Sequence, residues 1–308
     1  MKNNIQSIIK ASWVAVIGNI FLSFLKIIAG VISGSLAVLA DGIDSASDIV
    51  TSLITLFTAR IMRRPPSPAY PYGYLKADTI ATKTLSFVIL FAGVQLAINT
   101  IHGFIEGKER ELPEMLAIYV TLISVAGKIL LSIHQFRKGR LTNSEMLKAN
   151  ARNMQNDVLI SFAVLVGLFF TFILKMPVFD SITALAVSIW IIKVGIQIFL
   201  QTNRDLMDGV SDKGLYQKVF KAVEKVDGAS NPHRLRIRKI GNFFMIAFDI
   251  EVDGTITAQE GHMIACDVEK SIRNEIENIF DIMIHIEPAG SCEDEELYGV
   301  KQSDLTDC

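Results

Sequence analysis

Six stretches of this chain are long and apolar enough to cross a bilayer, and no other feature limits its fold as tightly. A spanning helix needs about 20 mostly apolar residues. Residues 12–32, 36–61, 79–105, 113–136, 154–174 and 178–200 each meet that length. Composition agrees: 50% of the 308 residues are hydrophobic, and mean hydropathy is +0.38. A soluble domain of this size needs a more polar surface. The apolar excess lies almost wholly before residue 200, and the remainder has ordinary soluble composition. The sequence therefore predicts a membrane domain over 1–208, a water-facing domain over 209–290 and an acidic tail over 291–308. The tail is rich in small and acidic residues and is expected to be disordered.

Lys2 and Lys10 precede the first apolar run, which lacks a small-residue cleavage pattern. It reads as a span rather than a signal peptide. Ser33-Gly34-Ser35 and Lys175-Met176-Pro177 are tight connections, so spans one and two, and five and six, read as helical hairpins. Basic residues set the orientation. Lys2, Lys10, Arg60, Arg63, Arg64, Lys76, Arg137, Lys138, Arg140, Lys148, Arg152 and Arg204 collect on one side, against Lys108, Arg110 and Lys175 on the other. Both termini and the soluble domain are then expected inside the cell, at a plasma membrane of bacterial type.

Beyond residue 200 the pattern changes. Residues 212–226 read as an amphipathic helix, 235–240 as a half-exposed strand, 243–252 as a second strand, 258–276 as a helix and 281–286 as a third strand. Gly241-Asn242 reads as the turn between the first two strands. The order α-β-β-α-β predicts a small ferredoxin-like α+β domain. Net charge is −2, so no overall field suggests nucleic acid. Cys266, Cys292 and Cys308 form no paired motif, hence no disulfide framework or thiolate metal site is expected.

Charged groups inside spans are costly and normally face a partner or a cavity. The second apolar run carries Asp44 and Asp48, four residues apart and so on one helix face. The fifth carries Asn153 and Asp157 with the same spacing. One such pair alone is equally well explained by capping or interhelical hydrogen bonds. Two matched pairs in apolar helices point instead to four oxygen ligands around one ion. Asp41, three residues earlier, reads as lining the access path or supporting a ligand. Asn156 and Gln155 lie beside the pair; Asn156, like Asp41, reads as supporting a ligand or lining the path, and ordinary interhelical hydrogen bonding is the competing reading for both. Asn19 and Lys26 are polar intrusions in the first span. Lys26 is expected to snorkel or to pair with an acid rather than bind cargo.

These features together resemble the cation diffusion facilitator family. The resemblance rests on Gly34-Ser35-Leu36-Ala37-Val38-Leu39-Ala40-Asp41 followed by Asp44 and Asp48, on Tyr70-Pro71-Tyr72-Gly73-Tyr74 with Lys76, on Asn153 and Asp157, and on the histidine-bearing C-terminal domain. It runs from about residue 10 to 290. It implies six spans, a cytosolic α+β domain, a homodimer, and metal export by alternating access, driven by protons and needing no cofactor. It also implies that Lys76 pairs with Asp208 as a charge interlock. His233, Asp249, His262, His285 and Glu287 match positions of a regulatory metal site; the alternative is a dimerisation domain that needs no metal. Tyrosines fill the stretch after the second span where zinc-handling members can carry histidines, so that additional site is expected to be absent.

The resemblance also bears on the cargo. Zinc-handling members commonly place His where this chain has Asn153. An all-oxygen site lacks the nitrogen that favours Zn²⁺ and suits harder ions such as Mn²⁺. The expectation is Mn²⁺, with Zn²⁺, Fe²⁺ or Co²⁺ as the alternative. Three close carboxylates in a low dielectric repel one another, and either protons or a divalent ion relieve that repulsion. The two therefore compete for the same oxygens, as an antiporter requires. A membrane scaffold that binds metal without moving it is a further alternative. An enzyme is not expected, since no nucleophile–base pair, zincin motif or phosphate loop is present. The expected partners are membrane lipid, the metal ion and a second copy of the chain.

Overall fold

The structure is a computed structural model that describes residues 2–62, 64–106, 111–142, 145–210, 212–240, 243–290 and 298–302. It divides into two compact units, one of residues 1–57 and 81–199, the other of residues 58–80 and 200–308. The division does not coincide with a cut at residue 208. The segment after the second helix groups with the soluble domain, and within that unit Lys76 pairs with Asp208 and Thr58 donates to Asp78.

Six long helices run through the first part of the chain: α1 (Lys2–Ser33), α2 (Leu36–Met62), α3 (Ala77–Ile105), α4 (Leu116–Thr142), α5 (Glu145–Leu174) and α6 (Val178–Leu206). A helix satisfies its own backbone, which is why apolar runs of this length adopt it in lipid. Large apolar side chains such as Phe21, Phe91 and Phe169 point outward, as lipid-facing positions do. Five of the six helices are long and apolar enough to span by composition alone; α2 carries Asp41, Asp44 and Asp48 in its first half. Helix α5 begins nine residues before the expected span, so Asn153 and Asp157 sit well inside it.

Helices α1 and α2 touch backbone to backbone. A Cβ on Gly30 would lie 2.6 Å from Leu39 N, and one on Gly42 would lie 3.0 Å from Ile27 N. Small residues permit that approach, which gives membrane helices much of their packing energy. The start of α2 is fastened by Asp180 of α6, a buried residue that sequence reading passed over. Ser35 Oγ donates to Asp180 Oδ1 at 2.6 Å, and Leu36 N donates to Oδ2 at 2.9 Å. Asp180 thus satisfies an otherwise orphaned helix-start amide. Asp180→Ala is expected to destabilise the protein by about 2 kcal/mol, read as a lowered Tm of purified protein. An unchanged Tm would mean the cap is dispensable.

The second unit contains α7 (Lys213–Val223), β1 (Ser230–Ile240), β2 (Phe243–Val252), α8 (Ala258–Glu275) and β3 (Ile279–Pro288), the expected α-β-β-α-β order. Asp212 caps α7 through Gly214 N, and Thr257 with Glu260 forms a capping box on α8. The sheet order is β1-β2-β3, antiparallel then parallel. Alternation sorts the sides of β2. Ile246, Phe248, Ile250 and Val252 join Val219, Phe220, Val268 and Ile272 in the core. Met245, Ala247, Asp249 and Glu251 take the other face. Strands β1 and β3 each extend beyond the expected stretch because the residues at their ends, Ser230 and His233 of β1 and Ile279, Glu287 and Pro288 of β3, still pair with β2. The turn expected at Gly241-Asn242 lies outside the described residues. Part of the tail departs from the expected disorder: Val300 exchanges backbone hydrogen bonds with Leu235 at 3.0 and 3.2 Å, and Gln302 donates to Glu224. Residues 291–297 and 303–308 of the tail lie outside those described.

Candidate metal sites

Six charged residues of the membrane helices gather in one place. Helix α2 contributes Asp41, Asp44 and Asp48, and α5 contributes Asp157. The Asp48 carboxyl lies within hydrogen-bond reach of Asp157, and Asp44 lies close enough to feel both Asp157 and Asp41 electrostatically. Asp44 and Asp157 are half-buried, while Asp48 is accessible yet closely surrounded by protein. Asn153 sits one turn before Asp157 on the same face of α5 and is exposed. Asn156 and Gln155 are exposed as well.

Two buried lysines complete the cluster. Lys26 of α1 does not snorkel. It is fully buried, with Nζ 2.7 Å from Asp41 Oδ2, and it donates to Ser161 Oγ at 2.8 Å. Ser161 in turn donates to Asp41 Oδ1 at 3.0 Å. Asp41 is therefore held in a buried ion pair rather than lining an open path. Lys128 of α4 was missed in the sequence, although a charge mid-span in an apolar helix is the same signal that singled out Lys26. Its Nζ lies 3.0 Å from Asp157 Oδ2 and 2.9 Å from Ser45 Oγ. The Ser45 hydroxyl also accepts from Lys26 at 3.4 Å, and so lies between the two ammonium groups.

In the soluble domain the structure brings together three of the five residues singled out there. Ligand atoms of His233, Asp249 and Glu287 all lie within 4.8 Å of one another, on the side of the sheet away from its helices. A register shift in β1 sets His233 opposite Asp249, and parallel pairing sets His285 opposite Asp249 as well. His285 Nε2 lies 3.2 Å from Glu287 Oε1. His233 Nδ1 is 2.7 Å from the Asn231 carbonyl, which can only accept, so that nitrogen carries the proton. His233 Nε2 faces Glu287 Oε2, 3.6 Å away. Arg234 and Arg236 approach Asp249 at 3.3 and 3.8 Å and offset its charge. His262 stands apart on α8, where its Nε2 meets Cys266 Sγ at 3.6 Å. Lys76 and Asp208 form an exposed pair at 2.7 Å within one chain, worth about 0–1 kcal/mol. In the tyrosine-rich segment, Tyr70 and Tyr74 stack at 4.8 Å.

Two family models match the chain: the cation efflux transmembrane domain over residues 12–207, and the cation efflux protein cytoplasmic domain over 212–289. The manganese efflux system protein MneP of Bacillus subtilis is 26% identical, over 91% of this chain and 95% of its own length. The uncharacterized transporter YdbO of the same organism is 30% identical over the same shares. The metal-bound C-terminal domain of the CzcD transporter from Thermotoga maritima is 35% identical over 26% of this chain and 93% of its own, with a TM-score of 0.25. The matches, together with the six long helices, define a multi-pass membrane transporter of divalent metal cations and not an enzyme. The chain belongs to the cation diffusion facilitator family. Metal binding and homodimerisation go with that membership.

Proposed function

We propose that this protein exports Mn²⁺ in exchange for protons across a bacterial-type plasma membrane, with both termini in the cytoplasm. Asp44, Asp48, Asn153 and Asp157 bind the ion and face one side of the membrane at a time. The observation that carries the reading is the gathering of Asp44, Asp48 and Asp157 from two membrane helices around accessible oxygens. A divalent ion and protons compete for those oxygens, which couples their movements. Mn²⁺ is favoured over Zn²⁺, Fe²⁺ or Co²⁺ by the carboxamide of Asn153 in place of an imidazole. The relative MneP, named for manganese efflux, points the same way. The test is metal uptake into inverted vesicles under an imposed pH gradient, run with a metal panel. Gradient-driven Mn²⁺ uptake is the expected result; metal binding without flux would leave a scaffold.

Asn153→His adds the nitrogen ligand that Zn²⁺ prefers. Its Zn²⁺:Mn²⁺ flux ratio is expected to rise on the order of tenfold. A ratio equal to that of wild type would remove Asn153 from selectivity.

The soluble domain supports a second, regulatory reading, favoured by the convergence of His233, Asp249 and Glu287, whose ligand atoms lie within 4.8 Å of one another. His233, Asp249 and Glu287 hold a metal ion, with His285 alongside. His233→Ala is expected to remove one class of binding sites in calorimetric titration of the full chain while sparing the transport site. Unchanged stoichiometry would leave this cluster an ion-pair network.

A further inference from the structure

Resting on the transport-site reading above, we propose that Lys128 is a fixed counter-charge of the ion site, which keeps metal binding weak enough for release. Its ammonium is buried, with side-chain exposure of 2%, and it contacts Asp157 directly at 3.0 Å. Its other partner is Ser45, which sits between ligand positions Asp44 and Asp48 on α2. Lys128 therefore bridges the two helices that supply the ligands.

Charge count gives the bridge its consequence. Lys26 and Asp41 form a pair of their own and cancel. Once an ion has displaced their protons, Asp44, Asp48 and Asp157 carry three negative charges, and Lys128 trims these to two, the charge that one divalent ion neutralises. Without Lys128 the same oxygens would hold that ion with an uncompensated negative charge left over. Coulomb attraction in a partly buried site would then grip the cargo more strongly. The ammonium also hydrogen-bonds the Asp157 oxygen that the ion needs, so metal must compete with it for that carboxylate. Both effects act in one direction: Lys128 lowers affinity and speeds release.

The experiment measures Mn²⁺ binding to the purified full-length protein by calorimetry, alongside flux in proteoliposomes. K128Q is expected to bind Mn²⁺ on the order of tenfold more tightly, with slower turnover at saturating metal. K128R keeps the charge and adds a bidentate fork on Asp157, so it is expected to bind several-fold more weakly than wild type. Should K128Q fail to fold, K128R alone decides, and equal or tighter binding there overturns the proposal. D157N separates the two readings. Lost binding in D157N with no tightening in K128Q overturns the counter-charge and leaves the ion site standing. Undiminished binding in D157N overturns the ion site itself.

Discussion

Asp157→Asn is expected to lower Mn²⁺ flux a hundredfold or more while the protein remains folded. Loss of a supporting contact in a metal site already costs roughly 10–100-fold, and loss of a ligand charge costs at least as much. The change is nearly isosteric, so the amide oxygen still accepts from Lys128, which stands 3.0 Å away in the wild type. The ladder of α5 is untouched, and the loss therefore falls on the ion rather than on the helix. Flux through reconstituted vesicles, paired with a melting curve, reads both quantities. Wild-type flux from a folded D157N protein would place the ion path elsewhere. An alanine at the same position gives a less clean answer, because it leaves the buried ammonium of Lys128 with the Ser45 hydroxyl but no side-chain oxygen at position 157.

Lys26→Met should be the most destabilising single change in the membrane helices. Lys26 and Asp41 are 0% and 1% exposed, and their atoms approach to 2.7 Å. Removing one member of a buried pair strands the other charge, at a cost of about 3–5 kcal/mol. Ser161 still donates to Asp41 Oδ1, but one neutral hydroxyl does not replace an ammonium. The double variant K26M/D41N removes both charges and is expected to recover much of the lost stability. The readout is thermal unfolding of the single and double variants in the same detergent. A double variant no more stable than K26M would show that the two side chains are not energetically coupled.

Sequence reading recovered what periodicity and spacing encode. The long apolar runs define six helices, and alternation defines three strands whose buried sides face two helices. The i, i+4 spacing in α2 and α5 picked out four positions without coordinates, because a helix repeats every 3.6 residues wherever it sits. What it did not encode was the partner of each charge. Asp41 read as lining the path or supporting a ligand, and its pairing with Lys26 stayed hidden because Lys26 lies 15 positions earlier on another helix, where no local rule joins them. Lys128 and Asp180 escaped for the same reason: their roles depend on which helices meet. His262 was grouped with His233 by the family resemblance, yet it lies on α8 beside Cys266. The tail was read from composition alone, which cannot anticipate that Val300 finds a backbone partner in Leu235.

The close approach of Gly30 to Leu39, and of Gly42 to Ile27, has a mechanical corollary. With no side chain to act as a spacer, α1 and α2 cannot slide or rotate past each other without backbone collision. They form a stiff lever carrying Asp41, Asp44 and Asp48 together with Lys26. Under the proposed alternating access, α1 and α2 would then swing as one body, with the carboxylates and Lys26 moving together.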